Sequence, residues 1–174
     1  MKLSSKLFNI GVALVMSIST LAGLSAVASH QKEKQKVTAG KPMSITASAV
    51  SLNVENVSAS SAFLVQHFGF HETMSDGKGG FASLERKDAG MNVIFLRRGN
   101  IILPENFRHQ RAAGVILAFT VRGLRSEERR LRSEGVKITM PLREETWGER
   151  LFQVTDPSGI VIELVEWATP NQAK

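Results

Sequence analysis

From residue 46 onward the chain alternates. Val50, Leu52 and Val54 are separated by Ser51 and Asn53, a period of two that predicts a half-buried strand. Asn56 is placed to cap a helix carrying Ala59, Ala62, Phe63 and His67, and Gly69 to end it. Short strands are predicted at residues 70–74, 81–85 and 91–96. The turn sequences Asp76-Gly77-Lys78-Gly79-Gly80 and Lys87-Asp88-Ala89-Gly90 separate them. The same order then returns. Residues 115–121 read as a strand with Leu117, Phe119 and Val121 on one face. A helix follows with Leu124 and Leu131 at i, i+7, closed by Gly135. Strands at 136–140, 150–155 and 160–167 complete the second set, and Asp156-Pro157-Ser158-Gly159 turns into the last of them.

The two sets match at a near-constant offset. Val54 and Val121 stand 67 apart, Gly69 and Gly135 66 apart, Gly90 and Gly159 69 apart. One βαβββ unit written twice accounts for this better than eight unrelated elements. The predicted fold class is α+β: two βαβββ modules, helices on the outer face, curved mixed sheets enclosing a concave groove. Alternation assigns Ala49, Ser51, Asn53, Asn92, Ile94 and Leu96 to the concave face of the first module. Ile116, Ala118, Thr120, Val161, Glu163 and Val165 take the same place in the second.

Residues 1–28 follow a different pattern. Lys2 and Lys6 precede an uncharged stretch that lasts until Lys32, with Ile10-Gly11-Val12-Ala13-Leu14-Val15-Met16 at its centre and Ala26-Val27-Ala28 at its end. A basic start, a short apolar centre and an A-x-A site are the parts of a cleaved export signal. The competing reading is a retained membrane anchor, since the uncharged run approaches the ~20 residues of a span. Cleavage after Ala28 would leave no stable membrane insertion and place the mature chain in a periplasm or outside the cell. Residues 29–43, with four lysines and Pro42, read as a flexible linker. The folded domain is expected over 44–168, with module one at about 44–98 and module two at about 112–168, and residues 169–174 form a tail.

The 174-residue chain has 43% hydrophobic and 22% charged residues, a composition of ordered globular proteins. It contains no Cys, which removes disulfides, thiolate nucleophiles and Cys-ligated metals. Cleavage at residue 28 removes two lysines and no acid, so the formal charge falls from +6 to +4. Much of the remainder sits in the linker, and the body offers no case for a nucleic-acid partner. The Arg-rich run from Arg122 to Arg132 is interleaved with Glu127, Glu128 and Glu134. It is either a phosphate-binding face or the solvated side of a helix with pairs such as Glu128 and Arg132, the second being the commoner use of such a run.

The segment Trp147-Gly148-Glu149-Arg150-Leu151-Phe152-Gln153-Val154-Thr155-Asp156-Pro157-Ser158-Gly159-Ile160-Val161-Ile162-Glu163-Leu164 resembles the closing signature of the vicinal oxygen chelate superfamily. That superfamily holds glyoxalase I, extradiol dioxygenases and the bleomycin- and fosfomycin-resistance proteins. Leu52-Asn53-Val54, Ala62-Phe63 and Phe68-Gly69-Phe70 are similar to its first strand and helix. The resemblance covers about residues 46–168. It implies a small-molecule site on the concave face, and, in the enzymes, one divalent metal held by four positions on the first and last strands of each module. Carried onto this chain, those positions are Ala49, Ile94, Ile116 and Glu163. Alkyl groups donate no lone pair, so only Glu163 can ligate.

The resemblance therefore points to the metal-free, bleomycin-resistance-like branch: an exported small-molecule-binding protein without cofactor or catalytic residue, and a homodimer. Its expected ligand contacts are Glu163, Trp147, Phe152, Asn53, Asn92 and Ile116. The alternative is a metal-dependent lyase, isomerase or dioxygenase in which His67, His71 or His109 reaches Glu163. A third reading is an interaction protein whose groove is closed by Leu96 and Ile116. Glu163 itself is open between a cation-attracting group and a carboxylate held by an arginine such as Arg143 or by Ser and Thr hydroxyls. Trp147 and Phe152 are open between packing and an aromatic wall. Arg150 is expected to pair with Glu144, Glu145 or Asp156.

Overall fold

The structure is a computed structural model that describes residues 43–168. The predicted export segment, the linker up to residue 42 and the tail after residue 168 lie outside the described residues. The first module comprises β1 (Ala49–Val54), α1 (Val57–Phe68), β2 (His71–Ser75), β3 (Phe81–Glu85) and β4 (Asn92–Arg97). A connection containing α2 (Glu105–Arg108) leads to the second module: β5 (Ile116–Thr120), α3 (Leu124–Ser133), β6 (Ile138–Glu144), β7 (Glu149–Thr155) and β8 (Val161–Trp167). Each module forms one mixed sheet, ordered β1-β4-β3-β2 and β5-β8-β7-β6. The first and fourth strands pair in parallel and the rest antiparallel. This is the α+β pair of βαβββ modules that the repeat predicts. No described helix is long and apolar enough to cross a membrane.

Local chemistry explains the helix ends. Asn56 accepts the Ala59 N–H at 3.0 Å and so caps α1. Gly69 (φ 65°) and Gly135 (φ 81°) close α1 and α3 in the left-handed region, which glycine enters without a Cβ penalty. After α3, Gly135 N–H donates to the Arg132 carbonyl and Val136 N–H to the Leu131 carbonyl, each at about 3 Å. At its start α3 has no side-chain cap of its own. Instead Glu166 of β8 accepts the Gly123 N–H at 2.7 Å and pairs with Arg150 at 2.9 Å. Arg150, flanked in register by Glu144 on β6 and Glu166 on β8, thus pairs with Glu166 rather than Glu144, Glu145 or Asp156.

One side of each sheet lies under the helices. Leu52, Val54, Val93 and Phe95 from the first sheet and Leu117, Phe152, Val154, Ile162 and Leu164 from the second join Leu64, Phe68, Leu124 and Leu131 in a single core. Three details depart from the pattern. In α1 the buried face is Val57, Ser60, Ser61, Leu64, His67 and Phe68, while Ala62 is exposed. The two serines are tolerated inside because each hydroxyl has a partner: Ser60 donates to Ser158 Oγ and Ser61 to Glu72, both at 2.8 Å. The sixth strand runs Ile138–Glu144 rather than 136–140. Val136 is consumed in closing α3, and the strand continues through Pro141 because β6 is an edge, where a missing N–H breaks no ladder. The one-turn helix α2 is too short for a periodic signal.

The modules are also joined by polar contacts. Arg111 donates to the Ser158 carbonyl at 2.8 Å, beside the Ser60–Ser158 bond. On the other side His67 Nδ1 of α1 lies 2.7 Å from Glu134 at the end of α3, and Arg130 donates to both Glu134 and the His67 carbonyl. The His67 ring first, and the Arg130 guanidinium second, hold the Glu134 carboxyl below its ordinary value of 4.5. A carboxyl depressed in the folded state stabilises the fold above its unfolded pKa, and that contribution disappears as pH falls through the folded one. Urea unfolding of the chain and of Glu134→Gln is expected to differ most at neutral pH, the variant being weaker, and the difference to shrink progressively as pH falls below 4.5.

Candidate functional site

Strand alternation sets what the helix-free face displays. On the second sheet Glu163 of β8 stands opposite Ala118 of β5 and Gln153 of β7. Ile116 stands opposite Val161, one step along the same face, and is 51% exposed. On the first sheet Ala49 pairs with Asn92 and Ser51 with Ile94. The four carried-over positions thus lie on helix-free faces, three as hydrocarbons.

Glu163 is half-buried, and its Oε2 accepts a hydrogen bond from Gln153 Nε2 at 2.7 Å. Neither Arg143 nor a hydroxyl fills that place. Arg143 pairs with Glu145 at 2.6 Å, while the partner of Glu163 is a neutral amide. Gln153 is the site residue that sequence reasoning missed. Its signal was partial: the two flank the Asp156–Gly159 turn, but the register that sets Gln153 opposite Glu163 depends on Ile160 joining the loop, so that Thr155 pairs with Val161.

The other expected contacts do not gather around Glu163. Phe152 is fully buried on the helix side, because it pairs with Leu164 while Leu151 takes the open side opposite Val165. It cannot form a wall for a ligand. Trp147 stands in the β6–β7 turn, 58% exposed, and its Nε1 donates to Glu149 at 2.8 Å. Asn53 holds the inter-module connection: its amide donates to the carbonyls of Phe107 and Gln110 at 3.2 and 3.1 Å. Asn92 lines a separate hollow with Ser48, Glu85 and Met91. Leu96 and Val165, assigned to the groove, are buried although neither belongs to the shared core. A hollow of about 670 Å³ at the junction of the modules includes neither Glu163 nor Gln153.

The donor set does not fit a divalent metal. Such an ion needs several converging N or O ligands, and Glu163 has hydrocarbon at the companion positions. Among the described residues no group of three or more His, Asp or Glu side chains is arranged so that it could hold a metal ion. The histidines that the enzyme alternative requires are committed elsewhere. His67 bonds to Glu134, His71 to Glu85 at 2.8 Å, and His109 packs beside Gly99 in the connection.

Two modules of this topology, with the closing Trp147-to-Leu164 signature on β7 and β8, define a class. Residues 46–164 match the family model of the Glyoxalase/Bleomycin resistance protein/Dioxygenase superfamily, and the chain belongs to that superfamily. Solved structures share the fold. A glyoxalase/bleomycin resistance protein/dioxygenase from Nocardioides aligns with a TM-score of 0.63 at 19% identity, over 79% of this chain and 91% of that one. A lactoylglutathione lyase from Agrobacterium tumefaciens gives 0.57 at 15% identity, over 73% and 96%. TioX from Micromonospora sp. ML1 gives 0.55 at 23% identity, over 71% and 99%. No curated protein matches the sequence.

The two aromatics of the closing signature are expected to separate cleanly in a denaturant melt. Phe152→Ala removes a fully buried ring and lowers stability by about 3–5 kcal/mol. Trp147→Ala removes an exposed one and stays within about 1 kcal/mol of the parent chain.

Proposed function

We propose that this chain is an exported small-molecule-binding protein of its superfamily, working without a metal as a homodimer. The observation that carries the reading is the Glu163–Gln153 pair. A carboxyl held by a neutral amide is fixed in direction without being paired to a cation. Its second oxygen makes no hydrogen bond among the described residues, so it is available to a ligand. The surroundings are small or aliphatic: Ala118, Ile116, Val161 and Val165. One charge on an apolar floor suits a cationic group attached to an apolar body. Among the described residues the one polar partner of the Glu163 side chain is the neutral Gln153 amide, so the face suits binding and orienting rather than proton transfer.

The basic, then apolar, first 28 residues support export to a periplasm or the medium. The half-exposed Ile116, on a face that no described element covers, supports a second copy of the chain as its cover. A ligand could then be held between the two copies.

A thermal-shift screen of the full chain tests this. Quaternary-ammonium aromatics are expected to stabilise it, by about 2.7 kcal/mol at a hundredfold excess over Kd, and Glu163→Gln to remove the effect. Zn, Ni, Mn and Fe salts are expected to give no specific shift. A metal-dependent shift that vanishes in Glu163→Gln would instead establish the metal-dependent alternative.

A further inference from the structure

The junction of the two modules holds a cleft of about 670 Å³, on the helix side and away from Glu163. A second hollow of about 230 Å³ shares Arg86, Asp88, Phe119, Thr120 and Val121 with it and extends it toward Ala118 on β5. The main cleft has the volume of sites that enclose small organic ligands. Its apolar surface comes from the half-buried Phe119 and Val121, backed by Phe68, whose ring centroid lies 6.3 Å from that of Phe119, and by Leu164 in the core.

Three arginines line the cleft, and their commitments differ. Arg86 binds Asp88 through Nε and Nη2 and the Phe68 carbonyl through Nη1. Arg130 is divided among Glu127, Glu134 and the His67 carbonyl. These pairs also neutralise the two acids of the lining, Asp88 and Glu127. Arg122 makes no hydrogen bond or ion pair among the described residues. Beside it, the backbone of Thr120 borders the same space. Val121 N–H points to β8, where it bonds the Val165 carbonyl at 2.8 Å. Alternation along β5 therefore turns the Thr120 N–H the other way, to an edge that no described strand covers.

We propose that this cleft is a second binding site, for a flat apolar organic anion. Arg122 pairs with the anionic group, the outward Thr120 N–H assists it, and the half-buried Phe119 and Val121 carry the apolar body. Of the three arginines lining the cleft, Arg86 and Arg130 are tied to acids, and Arg122 supplies the charge left unpaired among the described residues. The inference is independent of the Glu163 face, which selects the opposite charge.

The test uses the full chain, with 2-naphthoate as probe and uncharged 2-naphthylmethanol as its control. Titration calorimetry gives affinities, and amide chemical shifts give location. Naphthoate is expected to bind and to shift the Thr120 and Gly69 amides. Arg122→Gln, at an exposed position, is expected to weaken naphthoate by about tenfold or more, the value of a lost charge-assisted bond. It should leave naphthylmethanol unchanged, and Glu163→Gln should alter neither. Naphthoate affinity that survives Arg122→Gln, or that falls with Glu163→Gln, would overturn the assignment. So would a failure to bind at about 1 mM.

Discussion

Each sheet has two faces, and a βαβββ module supplies one helix to cover them. That constraint organises the molecule. Residues of one parity on β1, β4, β5 and β8 lie under α1 and α3 and must be apolar, which Leu52, Val54, Phe95, Leu117, Ile162 and Leu164 are. Residues of the other parity have no helix above them. They are free to be Ala, Ser, Ile or Glu, and so this face is where a superfamily of constant fold varies its chemistry. In this chain three of the four positions carried over from the resemblance hold no donor. Ala49, Ile94 and Ile116 are compatible with the sheet and incompatible with coordination.

The two covered faces merge into one core, so the modules cannot separate without exposing it. The polar contacts across the junction follow the internal repeat. α1 touches the β7–β8 turn through Ser60 and Ser158, and the β3–β4 turn shares a cleft with α3 through Asp88 and Glu127. These contacts are approximately related by the offset that aligns the two modules. They are not chemically alike. The first is a small buried hydroxyl pair that allows close packing; the second leaves a cavity bordered by charges. Positions related by the repeat thus form a tight contact on one side and an accessible hollow on the other.

What the sequence made legible was periodic. The alternation in β1, β5 and β8, the Asn56 cap and the left-handed glycines 69 and 135 all act within a few residues, and the fold followed from them. The closing signature placed Glu163 on the correct face. Side-chain partnerships were less legible, because they depend on register and on which neighbour reaches first. Arg150 meets Glu166 across the ladder before it can meet Glu144, although Glu144 is its register partner on the other side. Asn53 has the parity of a groove residue, but the connection that follows β4 folds back and takes its amide. Phe152 differs by one position from the residue that faces outward. In a strand a shift of one reverses the face, so an aromatic judged by type alone has no assigned side.

The Glu163–Gln153 pair shows why the identity of a partner matters more than its presence. Had Arg143 filled the place, the face would carry no net charge and a cation would gain nothing there. The amide satisfies one oxygen and leaves the carboxylate without a cation. Its reach is limited all the same. A cation 4 Å away gains about 1 kcal/mol in a fully wet setting and about 4 kcal/mol at the effective dielectric of a protein surface. The larger value corresponds to roughly millimolar binding on its own. Tighter binding must come from hydrocarbon contacts with Ile116, Val161 and their neighbours, and from anything that excludes water from the carboxylate. A cover over this face would therefore contribute twice, by burying ligand surface and by lowering the dielectric around Glu163.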